Sequence, residues 1–224
     1  MSKISRTDVA AAILLLLPVV YLASVYHSLA DTVPMHFGLD GKPDRYGSKK
    51  ELLGVQALMT GVGIFCYLLM KYLPRIDPKK SARYSAGTLK KIALGTVVFL
   101  AIVNAFIIYS VSGGKTDIAG KADLILPLTG LFFAFIGNAM NSIKPNYFAG
   151  IRTPWTLESE ATWRATHRLA GRCWVAGGLL ICILTLLLPA KASMIAFFSI
   201  TAIISLVPVI FSYQYYQKHK NDLS

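Results

Sequence analysis

Charge is scarce in this sequence. Only 15% of its 224 residues are Asp, Glu, Lys or Arg, against about 25% in an ordinary soluble domain. Acid is scarcer than base, with 11 acidic residues to 23 basic ones. Cysteine occurs three times, and Cys66, Cys173 and Cys182 all lie inside apolar stretches with no ligand spacing between them. That excludes a disulfide scaffold and reads the three as small buried apolar residues. HExxH, GxSxG, a phosphate-cradling loop and paired carboxylates within an apolar block are all missing, so the usual arrangements of nucleophile, base or metal are not on offer. No internal repeat or low-complexity stretch is present.

What fills the space is apolar. Hydrophobic residues make up 54% of the chain and mean hydropathy is +0.54. They are concentrated in six blocks, Val9–Tyr26, Leu52–Leu73, Ile92–Val111, Leu124–Met140, Cys173–Leu188 and Ala192–Tyr213. Each is of a length suited to a hydrocarbon core about 30 Å thick at about 1.5 Å rise per residue. Runs this long exclude a soluble enzyme, a disordered chain, a coiled coil and a collagenous fibre. They also exclude a membrane barrel, whose strands alternate over about ten residues. The expectation is an all-α, polytopic membrane protein built as a six-transmembrane-helix bundle. Lys71 is the one charged residue within the blocks, near an end where its stem can snorkel.

Lys and Arg set the orientation. With the N-terminus in the cytoplasm, 16 basic residues fall on inner segments and 7 on outer ones, which obeys the positive-inside rule and puts both termini in the cytoplasm. Six of the 11 acidic residues are outer. The basic excess therefore faces anionic inner-leaflet lipid, and a nucleic-acid partner is not needed to account for it. Lys3, Arg6 and the first apolar run resemble a signal peptide, with Ser28-Leu29-Ala30 as a cleavage-like site. The run is longer than a usual signal core and is read as an uncleaved first helix. Residues 1–112 form one half, with three helices and a patterned outer loop at 28–50. Residues 113–224 form the other, with three helices and a patterned inner segment at 137–172. Pro18 and Pro208 lie inside helices and are expected to kink them. Asn104 reads as interhelical glue, and Gly61, Gly63, Gly95, Gly177 and Gly178 as points of close helix approach.

The outer loop contains Pro34, His36, Phe37, Gly38, Asp40, Gly41, Pro43, Asp44 and Gly47. Gly41-Lys42-Pro43-Asp44 is turn chemistry. His36, Asp40 and Asp44 carry metal-ligating groups, but a spacing of four aligns them only on a helix, which Gly38, Gly41 and Pro43 oppose. The reading adopted is an ordered, hydrogen-bonded, outward-facing loop without a metal, with Pro34 and Phe37 tucked onto the bundle. His36, Phe37, Asp40, Gly41 and Asp44 are its candidate ligand-binding residues.

The inner segment starts with Asn138 and runs through Asn146, Gly150, Arg152, Thr153, Pro154 and Trp155. Thr156 is the expected N-cap of a following helix, with Glu158 and Glu160 in its first turn. Trp163, His167, Ala170 and Trp174 share one face, and Arg164, Arg168 and Arg172 an adjoining one. This spacing describes an amphipathic helix on the membrane surface, turning as an elbow into the fifth span. The elbow does not account for Asn138, Asn146, Gly150, Arg152, Thr153 and His167 together, a polar cluster that must find partners or line a cavity. His167 with Glu158 or Glu160 is the nearest approach to an acid–base pair, and a lone helical histidine is more often a hydrogen-bonder. The chain is read as a binding protein, not an enzyme, and without cofactor. Two alternatives stand beside it. One is a membrane enzyme acting on lipid or envelope precursors through His36 or His167. The other is a small transporter, against which stands the lack of ionisable residues deep in the spans.

The stretch Gly137-Asn138, Lys144 to Leu157, Trp163, Thr166-His167-Arg168 and Gly171 resembles the signature of the SdpI family of bacterial immunity proteins. The outer loop is similar to the uncharacterised domain that commonly precedes that signature, except that Gly38 stands where many relatives have Asn. The resemblance covers most of the chain. It implies a six-helix inner-membrane protein that binds and neutralises a secreted, membrane-active toxin peptide. It also implies signalling, by holding a cytoplasmic transcriptional repressor at the membrane. On this reading Asn138, Asn146, Gly150, Arg152, Thr153, Pro154, Trp155, Trp163, His167 and Arg168 form the signature and partner-binding set, with anionic lipid as a further partner and no direct contact to nucleic acid.

Overall fold

The computed structural model describes residues 4–38, 42–76, 86–112 and 124–220. Helix α1, Arg6–Val25, starts at a capping box. The Ser5 side chain accepts from the Asp8 backbone N–H, and Asp8 Oδ2 accepts from Ser5 N–H at 2.7 Å. A single 3₁₀ turn, Tyr26–Ser28, leads to strands β1, Thr32–Phe37, and β2, Pro43–Ser48. Helix α2, Lys49–Ile76, begins where Glu51 accepts the Ser48 N–H at 3.0 Å, half of a second capping box. Then come α3, Ala86–Ser112, α4, Ile125–Met140, the short α5, Pro154–Glu158, α6, Glu160–Leu187, and α7, Ala190–His219.

Five of these helices are long and apolar enough to cross a membrane: α1, α2, α3, α6 and α7. Large apolar side chains on them are exposed, among them Leu16, Leu58, Phe65, Ile183, Phe198 and Leu206. Each such side chain costs roughly 25 cal/mol per Å² in water, so hydrocarbon is the medium that suits this surface. The protein is a multi-pass membrane protein. The fourth expected span forms α4, whose 16 residues extend about 24 Å, short of a core about 30 Å thick.

Two clusters hold the first three helices together. Ala11, Leu15 and Val97 pack at one depth, and Leu22, Leu29, Leu52 and Ile108 at another. Asp8 ties the end near its own cap. Its Oδ1 accepts from Lys71 Nζ at 2.6 Å and from the Tyr67 hydroxyl at 2.8 Å. Lys71 therefore does not simply snorkel; it pins α2 to the start of α1. Gln56, which lies inside an apolar block, is buried with its Oε1 unpartnered. Asn104 is buried too, but makes no side-chain hydrogen bond among the described residues, so its role as interhelical glue is not realised there.

The outer loop is not purely irregular. It forms an antiparallel hairpin, with Thr32 opposite Ser48, Val33 opposite Gly47 and Phe37 opposite Pro43, and the register slips around His36. This is the one departure from an all-α fold among the described residues. Val33, at 1% exposure, is the side chain that seats the hairpin, while Phe37 and Pro34 are only half-buried. Lys49 clips its base by bonding the Asp31 carboxylate at 2.9 Å, which holds that carboxyl below its usual range. Pro43 and Asp44 belong to β2 rather than to a turn. Asp40 and Gly41 lie outside the described residues.

Helices α4, α6 and α7 pack as the second group. The contact of α4 with α6 is backbone on backbone. A Cβ on Gly178 would sit 2.5 Å from Gly130 O and Ala134 N, and one on Gly137 would sit 2.7 Å from Val175 N. Gly63, Gly95, Gly177 and Gly178 are points of close approach as expected, but Gly61 faces open space. The two groups meet where Phe99 of α3 stacks on Phe132 of α4, centroids 4.2 Å apart. Helices α1 and α7 continue through Pro18 and Pro208 without interruption. Successive helices run antiparallel, so the hairpin and the 141–159 connection lie at opposite ends of the bundle.

The glycine contacts give a direct test. Gly178→Ala drives a methyl into backbone atoms that cannot rotate aside, and overpacking of this kind costs about 1–3 kcal/mol. Gly61→Ala meets nothing and replaces a poor helix former, a change of about 1 kcal/mol in the other direction. Thermal melts in detergent are expected to show a lowered midpoint for the first and an equal or raised one for the second.

Candidate functional site

The connection from α4 to α6 folds around two side chains. Asn146 is fully buried and makes four hydrogen bonds. Its Oδ1 accepts from the Phe148 and Ala149 backbone N–H groups at 2.8 and 2.7 Å, and its Nδ2 donates to Lys144 O and Ala149 O. An aspartate could not make the two donations, and a hydrophobe could make none. His167 is the second. Its Nε2 accepts from Ile151 N–H at 3.1 Å, and its Nδ1 lies 2.9 Å from Trp163 O. A backbone N–H can only donate and a carbonyl can only accept, so the imidazole is neutral with its proton on Nδ1. Both nitrogens are engaged, which leaves no free base there.

Gly150 belongs to the same latch. Its φ is +106°, and a Cβ at this position would collide with His167 Nε2. Only glycine both adopts that backbone and clears the ring. The ring stacks on Trp163 at 4.1 Å, and Trp163 Nε1 donates to Ile143 O at 2.8 Å. Histidine, tryptophan and glycine thus close the loop onto α6.

The local helix starts differ from expectation. Thr153 is the N-cap of α5, followed by Pro154 at the first helical position, the placement that suits a residue without an N–H. Thr156 is not a cap. It is the third residue of α5, buried, and its hydroxyl accepts from Thr153 N–H and lies 2.8 Å from Ile151 O. Ser159 caps α6 instead, accepting from Thr162 N–H at 3.1 Å. From Glu160 the chain is one continuous helix of 28 residues, so the expected elbow into the fifth span is absent and the break falls between α5 and α6. Trp155 Nε1 donates to Ser212 Oγ at 2.7 Å, and the Tyr216 hydroxyl donates to Glu158 Oε2 at 2.8 Å, binding α5 to α7. The Thr-Pro pair was the sequence signal for this cap. Nothing local pointed to Ser212 or Tyr216, which lie more than 50 residues away.

The expected cluster therefore divides. Asn146, Gly150, Thr153, Trp155, Trp163 and His167 build the connection. Pro154 is exposed at the start of α5, and exposed Arg152 donates to Tyr147 O at 2.6 Å. Asn138 and Arg168 line open clefts beside the connection. Asn141, Ser142, Lys144 and Arg172, which stood outside the candidate site set, line them too. At the other end, His36 Nδ1 lies 2.6 Å from Asp44 Oδ1, with both side chains more than half exposed. Phe37 closes that strand opposite Pro43.

Helical fold and latched connection define a multi-pass membrane protein with one elaborated end. Residues 142–212 match the SdpI/YfhL protein family, a stretch that runs from the cleft residue Ser142 to Ser212 beneath Trp155. Residues 13–60 match a domain of unknown function, DUF1648. The likeness to the SdpI/YfhL family is carried by that stretch of the second half. It is 25% identical over 201 residues to the immunity protein SdpI of Bacillus subtilis, covering 88% of this chain and 91% of that protein. It is also 44% identical over 52 residues to an uncharacterized protein of Archaeoglobus fulgidus, covering 23% and 26%. No solved structure matches it.

His167→Ala removes the acceptor for Ile151 N–H. Leaving such a donor unpaired costs about 1–3 kcal/mol, and amide exchange at Ile151 is expected to accelerate. Gly150→Ala is expected to do the same from the other side of the contact. Protection at Ile151 unchanged in both variants would refute the latch.

Proposed function

We propose that this chain is an integral membrane immunity protein that binds and neutralises a secreted, membrane-active peptide. The observation that carries this reading is the similarity to an immunity protein along 88% of the chain, which includes both the hairpin and the connection. In the proposed arrangement the chain crosses a bacterial cytoplasmic membrane six times with both termini in the cytoplasm. The hairpin then faces outward. His36, Phe37 and Asp44, together with Asp40 and Gly41, are the proposed contacts for the peptide. An amphipathic peptide held there is kept from assembling in the bilayer.

The basic end of the bundle then faces the cytoplasm, where Arg152 and the exposed Pro154 are accessible to a soluble partner. There the chain is proposed to hold a transcriptional repressor at the membrane while the peptide is bound. His167 supports a non-catalytic role, because both ring nitrogens are taken by backbone groups.

Cells lacking the gene, challenged with co-encoded secreted peptides, are expected to lose membrane potential and viability that the intact gene restores. The double variant His36→Ala/Asp44→Ala is expected to restore protection poorly at unchanged protein level. Sensitivity identical with and without the gene for every such peptide would defeat the immunity reading. For signalling, Arg152→Ala is expected to shift a co-encoded repressor from the membrane fraction to the soluble one.

A further inference from the structure

At the end of the bundle opposite the hairpin, two clefts meet at Asn141 and Arg168. One, of about 600 Å³, lies between Lys144 on the connection and α6. The other, of about 870 Å³, lies between Asn138 on α4 and Arg172 on α6. Gly137 and Gly171 line the second cleft at its floor, where the backbones of α4 and α6 touch.

The cations in these clefts are not equivalent. Arg164 is engaged by Glu160 at 2.6 Å. Arg168, Arg172 and Lys144 have no carboxylate partner among the described residues, although all three are exposed. Arg168 and Arg172 are one turn apart on the same face, and Lys144 shares the first cleft with Arg168. Arg168 borders both clefts, Lys144 the first and Arg172 the second; like charges set along one joined opening repel each other, and a shared anion relieves that repulsion. Guanidinium groups suit phosphate oxygens in particular, through paired N–H donors.

Below the cations the lining changes. The second cleft continues onto Val175, Ala176 and Leu179, and Leu179 lies about 10 Å along the helix from Arg172. A soluble phosphate has no use for an apolar track of that length. A phosphate with an acyl chain attached matches both parts.

We propose that the two joined clefts bind an anionic phospholipid, its phosphate held where they meet by Arg168, with Arg172 and Lys144 on either side, and an acyl chain lying along Val175, Ala176 and Leu179 of the second. The site is independent of whatever binds the hairpin. It is a built position for one lipid, beyond the general attraction of a basic surface for an anionic leaflet.

The test uses the full chain purified in an uncharged detergent, titrated with phosphatidylglycerol, phosphatidylcholine or inorganic phosphate, with melting temperature as the readout. Phosphatidylglycerol is expected to raise the melting temperature saturably, and the other two are not. Arg168→Gln/Arg172→Gln is expected to weaken that binding about 25-fold, at about fivefold for each cation. Arg75→Gln, which removes a cation from the same end but outside the cleft, is expected to bind like the parent. Should the double variant not fold, Lys144→Gln on the opposite wall decides the matter, with about a fivefold loss expected. Parent-like binding by the folded double variant, or by Lys144→Gln where it has to decide, overturns the proposal. Equal binding of phosphatidylcholine overturns it as well, because charge then plays no part. Equal protection by inorganic phosphate assigns the cleft to a soluble anion and overturns the lipid.

Discussion

The rest of the structure depends on how closely α4 and α6 approach. Their backbones touch at Gly130, Gly137, Gly171 and Gly178, where no Cβ fits between them. In a bilayer, apolar burial gives helices little reason to associate, because lipid tails are as apolar as the side chains. Direct backbone contact supplies dispersion and weak polar interactions that lipid cannot match. It also fixes the relative depth of the two helices. The end of α4 is thereby set beside the first turns of α6, and the 141–159 connection has only a short gap to close.

That connection is then determined by hydrogen-bond demand. Near the edge of a bilayer, unpaired backbone groups are costly, and this segment is neither helix nor strand over most of its length. Asn146 and His167 meet the demand by each bonding groups that regular structure would otherwise pair. The three tryptophans work similarly. Trp155, Trp163 and Trp174 each donate an indole N–H, to Ser212 Oγ, Ile143 O and Ile204 O. Their rings fill space while their single polar atom fastens one element to another. The arginines do the opposite, standing outward on the exposed face of α6.

The hairpin end is held by different means. A small hydrophobic cluster, Val33 and the Lys49–Asp31 bond secure it to α1 and α2. Most of its polar side chains remain exposed. The two ends of the molecule thus differ in character: one presents a polar hairpin above the bundle, and the other a folded-in connection with basic clefts at its side.

The apolar blocks, their order and their approximate limits were legible in the sequence, because a hydrocarbon solvent imposes length and composition directly on each helix. The residue types of the connection were legible too. Asn146, Gly150, Thr153 and His167 are polar or conformationally special where the bilayer tolerates neither without a partner. Their division of labour was decided only by tertiary structure. Whether an arginine is paired depends on what stands across a gap, as Glu160 does for Arg164 but no carboxylate does for Arg168 among the described residues. Trp155 meets Ser212 across 57 positions, a contact set by where α7 returns. The Lys71–Asp8 pair spans 63, and it too exists only because two antiparallel helices end at the same depth.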